Sequence, residues 1–228
     1  MIEQRGSTLI VTLIILLLIV LVGTMAVRSG ILGLRLATNS QIQILLLENS
    51  NAALFNIEDP NQISRQLAQD GMFSYFNAAD HATDELVFCY RASENNFFSM
   101  SKASAISHSG DISKIGLDGF CKANQFSTGR SAIISQVYIK KNLESAVPFS
   151  HFASGTSLGQ SNLPVVSNHI SVTVISTLPS FAHVSTAEIE QCFKKLSSEV
   201  SVCFSNLSIP YNTQHADYVV GGKPELVS

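Results

Sequence analysis

The chain has 228 residues and a formal net charge of −3, from 14 basic and 17 acidic side chains. Only 14% of its residues are charged, and no run of Lys and Arg stands out, which argues against a nucleic-acid partner. The hydrophobic share of 46% is inflated by one N-terminal run, so it does not indicate a polytopic membrane protein. With that run set aside, one domain of ordinary size remains, large enough to bury a core.

The chain opens with Gln4-Arg5-Gly6-Ser7-Thr8-Leu9, and from Ser7 to Val27 it carries no charge. At 1.5 Å per residue, a helix over that stretch crosses the hydrocarbon of a bilayer. A secretory signal peptide would be shorter and end at a small-residue processing site, whereas Gly23-Thr24-Met25-Ala26-Val27-Arg28 leads into more helix. A plain membrane anchor is the simpler alternative.

Gln4-Arg5-Gly6 abutting the apolar run resembles the type III leader of type IV pilins, which is cut after the glycine. The whole N-terminus, with Ala52-Ala53-Leu54 further on, resembles PilX-type minor pilins and the K-type pseudopilins of type II secretion. The match covers about the first quarter of the chain. It implies an α+β, pilin-like lollipop, in which a long N-terminal helix (transmembrane, then filament core) carries an antiparallel-sheet globular domain. Residues 1–6 would be the leader, 7–57 the helix with 7–27 in the membrane, and 58–228 the extracytoplasmic domain. Prepilin peptidase would cut between Gly6 and Ser7, with N-methylation of Ser7 as the customary next step. The single Arg5 ahead of the run gives only a thin positive-inside signal, so orientation also rests on the leader: N-terminus cytoplasmic, bulk of the chain periplasmic.

Beyond the membrane run, apolar residues at Ile31, Leu34, Ile42, Leu45, Leu46, Ala53 and Leu54 keep helical spacing to about Ile57. Asp59-Pro60 predicts the stop. A further helix is expected over Ile63–Phe76, with Ile63, Leu67 and Met72 on one side. Strands are expected at Glu85–Tyr90, Ala132–Ile139 and His169–Thr177; the last alternates apolar with polar, which predicts one face on the core and one toward solvent. Ser99–Gly129 reads as loop. Ser185-Thr186-Ala187-Glu188 has the form of a capping box, predicting a short helix over Glu188–Leu196. The tail after Pro210 reads as loop or edge strand.

Cys89, Cys121, Cys192 and Cys203 form an even set suited to an oxidising compartment, and three pairings can be drawn. Local pairing, Cys89 with Cys121 and Cys192 with Cys203, is favoured because it closes both loops most simply. The second loop resembles the C-terminal disulfide loop of pilins, although a long tail follows it here. No C-x-x-C spacing occurs, so no metal is expected. Asp80, Asp84 and Glu85, like Asp111 to Asp118, lack the ligand spacing of a calcium loop. The six histidines (His81, His108, His151, His169, His183, His215) are scattered singly.

Gly155-Thr156-Ser157-Leu158-Gly159 matches the letters of a nucleophile elbow, with Glu188 and His215 in the order of a serine hydrolase triad. The flanking residues suit neither the strand nor the helix that the elbow requires. The expectation is therefore a protein without catalysis and without a cofactor.

In most type IV pilins the fifth residue after the cut is a glutamate that pairs with a neighbour's N-terminal amine. Here that position is Val11, as in PilX-type and K-type relatives, which implies a place at or near the filament tip. Asn51 stands where such relatives tend to have Glu. The resemblance thus implies a minor pilin that primes type IV pilus assembly at the tip and supports adhesion and twitching motility. Its implied partners are other minor pilins and the major pilin through the N-terminal helix, prepilin peptidase, the inner membrane and a tip adhesin. A K-type pseudopilin is the nearest alternative, and a membrane-anchored periplasmic hydrolase using Ser157 is the alternative from another class.

Overall fold

The computed structural model describes residues 7–94, 96–129, 132–142, 167–182 and 184–221. Helix α1 runs unbroken over Ser7–Ile57, as the spacing predicts. Compactness divides the chain within this helix, into residues 1–42 and residues 43–228. In the second unit, Leu46, Ser50, Ala53 and Ile57 are buried, one residue per turn down a single stripe. The helix stops where the chain reaches Asp59-Pro60. The Asp59 carboxylate accepts from the Asn61 N–H (3.0 Å) at the start of a short 3-10 turn over Pro60–Gln62, and the buried Gln66 amide donates to the terminal Ile57 carbonyl (3.1 Å).

The single helix expected over Ile63–Phe76 is instead two short ones, α2 (Ile63–Gln66) and α3 (Met72–Asn77). Gly71 makes the break. A Cβ there would stand 2.5 to 2.9 Å from the carbonyl oxygens of Gln66, Arg65 and Ala68, so the chain folds back through a site only glycine fits.

Among the described residues six strands form one antiparallel sheet: β1 (Glu85–Tyr90), β2 (Ser104–Ile106), β3 (Ile112–Lys114), β4 (Ile134–Lys141), β5 (Ser167–Thr177) and β6 (Tyr211–Gly221). Their spatial order is β3-β2-β1-β4-β5-β6. β4 lies two residues later than expected. β2 and β3 correct the expectation of loop across Ser99–Gly129. They are three residues each, too short to show a period, and are joined by a turn in which Gly110 takes φ 89°. The tail after Pro210 is the long edge strand β6, in continuous register with β5 from Tyr211 opposite Thr177 to Gly221 opposite Ser167.

Both faces of the sheet are covered. On one, Leu86, Phe88, Val137, Ile139, Ile170, Val172 and Val174 pack with Ala53 and Ile57 of α1, with Met72, Phe73 and Phe76 of α3, and with Phe97 and Phe98. On the other, Val87, Ile134, Tyr138 and Ile175 pack against two helices, α4 (Thr186–Phe193) and α5 (Ser197–Asn206). The Ser185–Glu188 capping box is present at the start of α4. α5 follows directly, where no helix was expected. With α4 it overturns the prediction that β5 turns a polar face to solvent, because Ser171, Ile175 and Thr177 on that face are buried. The fold is α+β: a long N-terminal helix and an antiparallel sheet between two helical layers.

Candidate functional site

Two features of the chain bear on function: the exposed length of α1 and the disulfide-stapled layer beneath the sheet. Every residue from 9 to 41 is exposed, although the stretch to Val27 is almost wholly Leu, Ile, Val and other apolar side chains. The helix is long and apolar enough to cross a membrane. Three of its threonines turn back on the helix: the Thr12 hydroxyl donates to the Leu9 carbonyl (3.0 Å), Thr24 to Leu21 (2.8 Å) and Thr38 to Leu34 (2.9 Å). Between Leu9 and Val27 the threonine hydroxyls are thus satisfied within the helix, as a lipid or a neighbouring apolar helix requires. An apolar surface of this length is unfavourable in water and calls for a cover. Gly6 lies outside the described residues, and Ser7 is the first residue of α1. Val11 stands one turn into the helix, 50% exposed among Leu9, Ile10, Leu13 and Ile14, with no basic group beside it in the run.

The other end of α1 is keyed into the domain by polar contacts as well as by packing. The Ser50 hydroxyl donates to the Leu46 carbonyl (3.1 Å) and lies 2.7 Å from the Ser176 hydroxyl on β5, which lies 2.7 Å from that of Ser135 on β4. All three serines are fully buried, and each finds a partner in the others. Asn49 accepts from the Ser127 hydroxyl (2.7 Å), and Tyr218 on β6 donates to Glu58 just past the helix (2.7 Å). Burial, and then the Glu58 carboxylate beside it, raise the Tyr218 phenol above its ordinary value.

The structure pairs Cys89 with Cys121 and Cys192 with Cys203, with Cα atoms 4.8 and 5.6 Å apart. The first bridge ties β1 to the loop that follows β3, and the second ties α4 to α5. A polar network joins this layer to the sheet. The Gln136 amide accepts from the Cys121 N–H (2.8 Å) and donates to the Phe193 carbonyl (2.7 Å), which also accepts from Tyr138 (2.8 Å). Burial pushes the Tyr138 phenol far above its ordinary value. The Glu85 carboxylate on β1 takes the N–H and hydroxyl of Ser197 at 2.8 and 2.9 Å, satisfying the first turn of α5 from 112 residues away.

The described residues among those weighed for chemistry serve separate neighbours. Ser157, with its Gly-x-Ser-x-Gly stretch and His151, lies outside the described residues, as does His183. Glu188 is taken up by the α4 cap, where Ser185 holds its carboxyl below the usual range. His215 on β6 meets the Thr173 hydroxyl (3.0 Å) and Asp217 (3.5 Å). Asp84 accepts from Tyr75 (2.7 Å) and contacts His81 (2.9 Å), while Glu85 serves α5, so these carboxylates are turned to different neighbours. Among the described residues no group of three or more His, Cys, Asp and Glu is placed to hold a metal.

No family model matches the chain, and neither a curated protein nor a solved structure matches it.

Proposed function

We propose that this chain is a minor-pilin-like assembly subunit, inserted in the inner membrane by residues 7–27 and placed at the tip of a type IV pilus. The observation that carries the reading is the continuity of α1. One unbroken helix is apolar and exposed over its first part and forms the domain's own core over its last. A simple tether needs no helix that goes on to build the core of its domain, whereas a subunit that docks its domain on a bundle of neighbouring helices uses one.

Val11 supports the tip position. A carboxylate within the bilayer costs about 2.5–3.5 kcal/mol on insertion scales, and it is tolerable only with a partner. A subunit that starts the filament has no neighbour above it to supply that partner, so an apolar side chain is favoured. Leader processing after Gly6 by prepilin peptidase, contact with other minor pilins and the major pilin along α1, and presentation of a tip adhesin by the periplasmic domain complete the proposal. The test is deletion of the gene with immunogold labelling of sheared pili. Tip initiation predicts many fewer pili and label at one end. Label spread along the shaft, with normal pilus numbers in the deletion strain, would refute it.

A further inference from the structure

The chain shows no basic run in its sequence, yet folding draws four of its cations into one cleft. Arg91 follows β1, Lys102 lies in a 3-10 turn over Met100–Lys102, Lys114 ends β3, and Lys122 follows the Cys89–Cys121 bridge. All four line a cavity of about 450 Å³, whose carboxylates among the described residues are Glu94 and Asp118. That volume is in the range of small-molecule sites.

The walls are fixed by backbone. Ile115 and Gly116 donate to the Ala103 carbonyl (3.2 and 3.1 Å), and Leu117 donates to Ser101 (2.7 Å). A Cβ on Gly116 would come within 2.0 Å of the Ser101 carbonyl oxygen, and one on Gly119 within 2.2 Å of that of Val87. The disulfide anchors the same loop to β1. The cations are therefore carried on a closely seated frame.

The two carboxylates do not neutralise them. Glu94 is shared between Lys102 (2.5 Å) and Arg91 (3.3 Å), and Lys102 foremost holds its carboxyl below the usual range. Asp118 accepts from the Phe120 N–H (3.2 Å). Lys114 and Lys122 have no acidic partner among the described residues. We infer that the cleft between β1, β3 and the Gly116–Lys122 loop binds a small polyanion of the phosphate or carboxylate type. Lys114 and Lys122 would supply the uncommitted charge, with Arg91 and Lys102 behind them.

The test uses the full chain in phosphatidylcholine nanodiscs, titrated calorimetrically with inorganic pyrophosphate. Saturable one-to-one binding that weakens with added salt is expected. Lys114→Gln with Lys122→Gln should weaken it roughly tenfold or more, as loss of charge-assisted contacts does. Both side chains are at the surface, so the variant keeps its fold, which circular dichroism checks. Glu94→Gln should tighten binding by releasing two cations, and Lys195→Gln, outside the cleft, should leave it unchanged. Repeating the titration in phosphatidylglycerol nanodiscs separates the sources. Weaker binding there identifies lipid headgroups as the natural occupant, and equal binding a soluble anion. No saturable binding, or binding that the double variant retains in full, overturns the inference.

Discussion

Residues 9–41 and 43–57 of α1 share one backbone geometry, and both are rich in Leu and Ile. In the first segment no residue is buried; in the second, Leu46 is 0% exposed and Ser50, Ala53 and Ile57 follow it down one stripe, while Phe55 on the opposite side is 73% exposed. All-round apolarity, free of charge as far as Val27, marks the first as a surface for lipid or other helices. A single stripe with polar residues between its members marks the second as a surface for its own domain. The lesson is that helix length alone says little; the angular spread of the apolar residues says which solvent each part is built for.

The largest expected contrast comes from paired truncations. Leu46→Ala should lower the domain's unfolding free energy by about 2–5 kcal/mol, the cost of emptying a filled core site. Leu16→Ala, in the exposed run, should change domain unfolding by less than about 0.5 kcal/mol. Denaturant titration in detergent, read by near-ultraviolet circular dichroism, measures both. Equal effects at the two sites would dissolve the distinction.

The stapled layer comes next. Removing the Cys192–Cys203 bridge, with both cysteines changed to Ser, should cost roughly 3 kcal/mol by the chain-entropy model. Intact-mass measurement with and without reductant should first show two disulfides in the native protein. The loss should appear in domain unfolding and leave membrane association of residues 7–27 untouched.

Hydroxyls sharpen the comparison on a finer scale. Thr24 and Ser50 both donate to a carbonyl of their own helix, but only Ser50 also meets a strand. Ser50→Ala should destabilise the domain by about 1 kcal/mol, a typical net value for one hydrogen bond, and Thr24→Ala by nearly nothing.

These elements also show what could be read from residues alone. The length of α1, its stop at Asp59-Pro60, the strands β1, β4 and β5 and the Ser185 cap are local patterns, and local patterns are visible in sequence. α5 is not, because Ser197-Ser198-Glu199 begins it without a side-chain cap of its own and its first turn is satisfied by Glu85 on β1. The buried second face of β5 follows from that omission, since α5 and α4 pack on that side of the sheet. The break at Gly71 depends on three carbonyls that converge after folding. The basic cleft was hidden for the same reason: its four cations are spread between positions 91 and 122.

A further effect, confined to alkaline solution, is one of pH. The folded chain raises the Tyr138 phenol well above its ordinary value of about 10, which the unfolded chain retains. The associated stability is complete below about pH 10 and falls as pH rises further, because only the unfolded chain then gives up the proton. Tyrosinate absorbance during an alkaline titration should show at least one tyrosine ionising together with loss of tertiary structure. Ionisation of every tyrosine before unfolding would contradict the buried network at Gln136 and Phe193.

The central claim is that α1 enters the membrane as a processed assembly helix and not as a permanent tether, and the N-terminus of the mature protein tests it most directly. Membrane fractions from cells with a functioning prepilin peptidase should yield protein beginning at Ser7 by N-terminal sequencing, and Gly6→Val should leave the leader in place. Protein that keeps Met1 in those cells, or that begins beyond Val22, would contradict the account.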